Sequence, residues 1–414
     1  MPNGPVEPAR QLAFDEALGR LLALCASRRR PVEWVGLDNA TGRIAAADVL
    51  AARDLPPFAN AAMDGYALRG GELPTEGERH FALAGTVLAG QAGDTPCGPG
   101  TCVRIMTGAP LPAALDTVVI QENIVREDGA ILVRAGERPG ANVRPAGEDC
   151  RAGDCVLAAG EVLTPARIAL LAAGGAIHVQ VAERPRVGLL VTGDELVEPG
   201  ADAGAGQVFD SNRSGIGAML RQLGIEPLPS ARVRDDPDAL RVALQQAAGS
   251  CEVIVTSGGV SAGDADFLPA VVSELGAIDF HKVRMKPGMP FLCGRVGDTL
   301  VFGLPGNPVS AMVVFVALVR PALLALQGAA PAPPVHARLG AAVAKRHGRT
   351  EFLRVRLASQ TDGACVATPL AQQGSGMLRG LAEADALAVI PAPAADLAEG
   401  AAIALLPLPW SRWA

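Results

Sequence analysis

Apolar positions recur at helical spacing near the start of the chain. Leu12, Phe14, Ala17, Leu18, Leu21, Leu22 and Leu24 fall within residues 9 to 27 and predict an amphipathic helix. After Arg53 the pattern changes to short apolar runs between Gly and Pro clusters: FALAGTVLAGQAGD, TCVRIMTGAPLP, DTVVIQEN and AILVRAGE. This predicts a β-rich domain over residues 51–147. TPARIALLAAGG then reads as a helix with Thr164 as N-cap, Pro165 at its first position and Gly174 at its end. It is expected to rejoin the first helix, so that 6–50 and 148–180 form one discontinuous helical linker domain.

From Arg186 onward strand, loop and helix alternate: PRVGLLVTGDE before SNRSGIGAMLRQLG, EPLPSARV before DPDALRVALQQAAG, CEVIVTSGG before DFLPAVVSELG. Apolar runs alternating with ten-residue helical segments mean βαβ units and a mainly parallel sheet covered on both faces. Such a sheet takes its ligand at the C-terminal ends of its strands. The α/β domain is expected over 181–328 and ends in TLVFGLPGNPVSAMVVFVALV, a buried strand, a stiff turn and a long helix. A Pro/Ala linker, GAAPAPPVH, leads to a small C-terminal β domain over 329–414, with strands around FLRVRL, CVATPL and ALAVIP.

The chain has 414 residues, 49% apolar and 19% charged, which supports several packed cores and excludes a largely disordered chain. A net charge of −7 argues against a nucleic-acid surface. Any anionic substrate must therefore be held by local cations, which act within a screening length of about 8 Å. The basic run Arg28 to Arg30 reads as a solvated helix end. Residues 309–326 are the most apolar stretch, but Arg320 and Pro321 interrupt them, so a buried helix is expected rather than a membrane span. The start MPNGPVEPAR lacks a signal pattern, and a cytoplasmic location is expected. Eight cysteines without a CxxC pair and five scattered histidines without HExxH point to neither zinc nor a disulfide framework.

Chemistry gathers at the strand ends. VTGDEL places Asp194 and Glu195 directly after one buried strand, and SGGVSAGDAD places Gly258, Gly259, Ser261, Gly263, Asp264 and Asp266 after another. Glycines let backbone amides approach a phosphate closely. Carboxylates converging on one crevice repel one another unless a cation intervenes, and Mg2+ takes one or two of them with water and phosphate oxygens. Glu195 and Asp266 are the expected metal ligands. LPGNPVS, with Pro305, Pro308 and Ser310, forms a rigid turn into a helix N-terminus suited to an oxyanion; as an isolated string it reads equally as a structural turn. Lys286 of MKPGMP, Asp64 of AMDGYAL and Thr107 of MTGAP lie in loops.

Taken together, PPFANAAMDGYAL, RIMTGAP, VTGDEL, DSNRSG, RDDPDALR, SGGVSAGDAD, MKPGMPF and GLPGNPVSA stand in an order that resembles the molybdopterin molybdenumtransferase (MoeA) family, itself similar to the E domain of gephyrin. The resemblance runs from about residue 10 to the end. It implies a transferase of molybdenum cofactor biosynthesis, a homodimer of four-domain subunits that takes adenylylated molybdopterin and molybdate, uses Mg2+ and releases AMP. It also implies catalytic roles for Asp64, Thr107, Glu195, Asp235 and Asp266, with Pro305 and Pro308 at positions on which the family relies. A molybdate pocket would map onto Lys286, Ser310, Arg349 and Ser375. Relatives commonly read KPGKPF where this chain has Met289, which removes one cation unless Arg284 replaces it; Asp264 stands where a Glu is common. Two other readings remain open: a non-catalytic molybdopterin carrier, or the adenylyltransferase that supplies, and in the first reading contacts, this chain.

Overall fold

The computed structural model describes residues 11–28, 30–260 and 266–413. The chain divides into two compact units, Trp34–Gln180 and a second built from the residues before Trp34 and after Gln180.

The 34–180 unit carries a six-stranded sheet in the order Thr117–Ile120, Gly65–Leu68, Thr101–Ile105, Glu78–Val87, Ala130–Arg134, Ile124–Glu127. One face buries Ala67, Val103, Ile105 and Val118, the other Tyr66, Phe81, Cys102 and Val119. The alternation follows from the two-residue period of a strand. In the same unit the helix Pro165–Ala173 starts as its sequence predicts, with Thr164 Oγ1 accepting from Arg167 N at 3.4 Å.

The other unit is organised around a six-stranded sheet ordered Ser230–Val233, Val187–Thr192, Val253–Ser257, Thr299–Leu304, Leu292–Val296, Gly276–His281. The first four strands are parallel, and the last two are antiparallel additions. Every residue of the 187–192, 253–257 and 299–304 strands is buried, as a parallel sheet covered on both faces requires. Helices Ser211–Gln222 and Pro237–Ala248 begin on Asp210 and Asp236, whose carboxylates accept from Arg213 N and Ala239 N. Beyond residue 334, five strands close on themselves: Thr350–Ser359, Cys365–Pro369, Val335–Leu339, Ala402–Pro407 and Ala386–Ile390, the last pairing back to the first.

The helix Phe14–Ala26, expected to share a linker domain with 164–174, is assigned to the other compact unit. It belongs to the α/β unit, where Phe14, Ala17, Leu21 and Cys25 enter one core with Val313–Val319 and Leu323, and Phe14 meets Phe352 edge-on at 5.0 Å. Its helical period predicted the apolar stripe but not which surface the stripe would cover. The helix Pro308–Leu326 runs 19 residues without stopping at Pro321, long and apolar enough by composition to cross a membrane, and it is mostly buried inside the protein. A π-helical turn at Phe315–Val319 precedes Pro321, and this wider turn accommodates a ring that lacks an N–H and would crowd an α-helical carbonyl.

Candidate active site

Parallel strands leave their C-terminal ends in a row, and the loops that follow them form a cleft of about 640 Å3. Thr192, Gly193 and Glu195 come from the first loop, Asp235 from the second, Gly258, Gly259 and Asp266 from the third, and Pro305 to Pro308 from the fourth. Ser211 and Asn212, in the first turn of a helix, line it too, with Phe209, Pro290 and Gly376. Three carboxylates and no Lys or Arg stand among the described lining residues.

Backbone approach is tight where the glycines sit. Gly258 has φ +98°, and a Cβ there would lie 2.6 Å from both the carbonyl oxygen and the hydroxyl of Thr192 on the neighbouring strand. Its N–H is already committed to Leu304 O at 3.1 Å, so Gly258 provides closeness rather than the free donor expected of it. Gly306, opposite, would place a Cβ 3.7 Å from Gly258 Cα.

Asp194 and Asp235 lock the first two loops together: each backbone N–H donates to the other's carboxylate, both at 3.2 Å. Burial raises the Asp235 pKa above the ordinary carboxylate value, and the charges of Asp194 and Glu195 push the same way against the bond from Asp194 N. Asn212 is 8% exposed. Its amide nitrogen donates to Ser257 Oγ at 2.9 Å and Gly306 O at 2.6 Å, while its Oδ1 is buried without a partner. Among the described residues no three His, Cys, Asp or Glu side chains converge closely enough to hold a metal by themselves. That suits an ion that takes one or two carboxylates and completes its shell with water and substrate oxygens. The orphaned Asn212 oxygen adds a further acceptor suited to such an ion or to a ligand N–H.

Glu195, Asp235, Asp266, Gly258, Gly259, Pro305 and Pro308 thus share one cleft. Ser261, Gly263 and Asp264 lie outside the described residues. Lys286, Ser310, Arg349 and Ser375 do not line it. Lys286 lies on the strand Val283–Lys286, which pairs in parallel with Thr350 and Glu351, and its ammonium meets Glu351 at 2.8 Å. Glu351, with its side chain 8% exposed, also reaches His347 Nε2 at 3.3 Å. Arg284 shares the exposed face of that strand and donates to Gly348 O at 2.7 Å, beside Arg349. Ser310 is buried, and the preceding amide, Val309 N, donates to Ser375 O at 3.1 Å rather than facing a ligand. The loop carrying Ser375 is pinned by Arg354, buried at 2% exposure, which donates to Gly374 O at 3.1 Å.

Asp64 and Thr107 come together in the 34–180 unit. Antiparallel pairing sets Gly65 against Ile105, so the residue before one strand meets the residues after the other. Thr107 donates from its N and its Oγ1 to Asp64 Oδ1, each at 2.8 Å. These bonds, the backbone one foremost, hold the Asp64 pKa below the usual carboxylate value.

Asn212, Glu351 and Arg354 were not singled out from the sequence. DSNRSG did offer a signal for Asn212, a polar residue in the first turn of a helix that faces a strand end. For Glu351 and Arg354 the sequence offered only a strand around FLRVRL.

Three family descriptions match successive parts of the chain: the MoeA N-terminal region (domain I and II) over residues 12–175, a probable molybdopterin binding domain over 188–325, and the MoeA C-terminal region (domain IV) over 336–408. The molybdopterin molybdenumtransferase of Haemophilus influenzae is 34% identical over 400 residues, 96% of this chain and 98% of that protein. That of Bacillus subtilis is 32% identical, covering 93% and 91%. A crystal structure of a molybdopterin biosynthesis MoeA protein from Pyrococcus horikoshii superposes with a TM-score of 0.83 at 28% identity, covering 96% of this chain and 100% of that one. With three MoeA-type regions matched in succession and relatives above 30% identical over more than nine-tenths of its length, the chain belongs to the MoeA family.

Proposed function

We propose that this chain is a molybdopterin molybdenumtransferase, which inserts molybdate into the dithiolene of adenylylated molybdopterin and releases AMP in molybdenum cofactor biosynthesis. The observation that carries the reading is the cleft itself: glycine turns shaped for a phosphate stand beside three carboxylates with no basic residue in the described lining. Such a set repels a pyrophosphate unless a divalent cation comes between. The volume, about 640 Å3, falls within the range of small-molecule sites.

Glu195 and Asp266 would hold Mg2+, which when bound neutralises charge on the pyrophosphate. Gly258 admits the phosphates to the sheet end, and Gly259 offers its amide. Asp235, held by Asp194, fixes the adjoining loop, and Asn212 ties the third loop to the fourth through Ser257 and Gly306. Molybdate is the second substrate; Lys286, Arg349, Ser310 and Ser375 would bind it, with Arg284 in place of the cation missing at Met289. Cleavage of the anhydride by a molybdate oxygen or water then needs positioning and charge stabilisation rather than a protein nucleophile. Within the 34–180 unit, Thr107 orients Asp64 and keeps it ionised, and both are assigned catalytic roles in this reading. The reading further makes the protein a cytoplasmic homodimer that receives its substrate from molybdopterin adenylyltransferase and binds neither nucleic acid nor membrane.

The test is AMP release from adenylylated molybdopterin with Mg2+, with and without molybdate. Molybdate-dependent release with molybdenum retained on the pterin is expected. Glu195→Ala and Asp266→Ala should each be slower by about a hundredfold, on the order of 3 kcal/mol. Normal release by either variant would remove the metal assignment. Binding without release, beside an active relative in parallel, would make this chain a carrier.

A further inference from the structure

On the α/β unit, away from the cleft, a second cavity of about 290 Å3 is lined by Met219, Gln222, Leu223, Phe315, Arg320 and Pro409. Its walls are apolar but for Gln222 and one guanidinium. Arg320 Nε is buried with no hydrogen-bond partner, and among the described residues no carboxylate lies within ion-pair distance of this side chain. The acids Glu226 and Asp385 are engaged by other partners, Glu226 by Arg221 and Asp385 by Arg412 and Ser411. Burial pushes the Arg320 pKa down, with no acid opposing it. The side chain follows directly on the π-helical turn Phe315–Val319, a rare geometry that often marks functional positions.

Arg320 is partly buried, and a guanidinium whose Nε sits unpartnered against apolar side chains costs free energy that pairing or full exposure would relieve. Here the fold keeps the charge beside an open cavity large enough for a small ligand and walled by Met219, Leu223, Phe315 and Pro409. We propose that this cavity is a binding site for a small organic anion, its carboxylate or phosphate on Arg320 and its apolar body against those four side chains. It would be a second site on the same helix whose first turn borders the catalytic cleft.

The probes are hexanoate and hexanol, which share an apolar body and differ in charge, with titration calorimetry and phenylglyoxal labelling of the full-length protein as readouts. Hexanoate should bind saturably and shield Arg320 from labelling, with hexanol weaker by about tenfold or more, the scale of a charge-assisted hydrogen bond. Arg320→Met should lose hexanoate affinity by a similar factor, and Arg320→Lys should lose less. Because the charge is uncompensated in the free protein, unliganded Arg320→Met should melt no lower than wild type. Equal affinity for hexanoate and hexanol, unchanged affinity in Arg320→Met, labelling unaffected by ligand, or no saturable binding at millimolar concentration would each overturn the proposal. If the Met variant fails to fold, Arg320 is a structural cation and the proposal falls, unless Arg320→Lys folds and loses hexanoate affinity relative to hexanol.

Discussion

Replacing Gly258 by Ala tests the geometry of the cleft at the position where it is tightest. At φ +98° an L side chain carries backbone strain of about 1–2 kcal/mol. The new Cβ would also lie 2.6 Å from Thr192 O and Oγ1. Neither atom can retreat far, because Thr192 ends a fully buried strand bonded on both sides. Forcing a methyl group into such packing adds about 1–3 kcal/mol. The total, about 2–5 kcal/mol, should lower the melting temperature by roughly 5–15 °C for a unit of this size. AMP release should fall with it, since relief can come only by moving the third loop away from the first. Gly306→Ala is the control: its Cβ meets only Gly258 Cα at 3.7 Å, so stability should stay within about 0.5 kcal/mol of wild type. Substrate KM should rise instead, because the methyl projects where Gly306 lines the cleft. Calorimetry with AMP-release kinetics reads both variants. A Gly258→Ala protein that melts with wild type and turns over normally would show that the strand ends do not constrain the loop.

Asp235 has a raised pKa, so its ionisation costs stability that is absent below the ordinary carboxylate range and appears as pH rises through the folded value. Asp235→Asn should therefore raise the melting temperature of the metal-free protein at pH 8, with the gain shrinking toward pH 4; a gain that grew on acidification would refute the cause assigned. Glu351→Gln removes the carboxylate that neutralises Lys286 and should tighten molybdate binding several-fold by calorimetry. Unchanged or weaker binding would take Lys286 out of the oxyanion site. Thr107→Val deletes one of the two bonds that stabilise ionised Asp64, so the Asp64 pKa should move upward toward the ordinary value in a carboxylate NMR titration.

The parallel core was legible because burial on both faces writes itself as unbroken apolar runs such as VGLLVT and VIVTS, each followed by glycine and acid. The loops on those runs had to meet at one sheet end, so Glu195 and Asp266 could be grouped from the strand pattern, whereas Asp235 was legible only through the family resemblance. Register was not legible. The pairing of Met285 and Lys286 with Thr350 and Glu351 joins residues far apart in sequence, and it turns an expected free cation into half of an ion pair. The antiparallel strands 276–281 and 292–296 were missed for a related reason, since the turn string MKPGMP between them drew attention as chemistry. For the Phe14–Ala26 helix, an amphipathic pattern named the buried face but left its partner open.

That partner has consequences for how the chain is made. The stripe of Phe14, Leu21 and Cys25 emerges from the ribosome early and finds its packing surface only after Val313 to Leu323 have been synthesised. The intervening 34–180 unit closes its own sheet entirely from residues already present. Synthesis therefore holds an uncovered apolar helix while an inserted domain folds, and domains generally fold as units in that order. A gene fragment starting at residue 181 would leave the Pro308–Leu326 helix missing one of its covers, and such a fragment should need the first 33 residues supplied in trans to stay in solution.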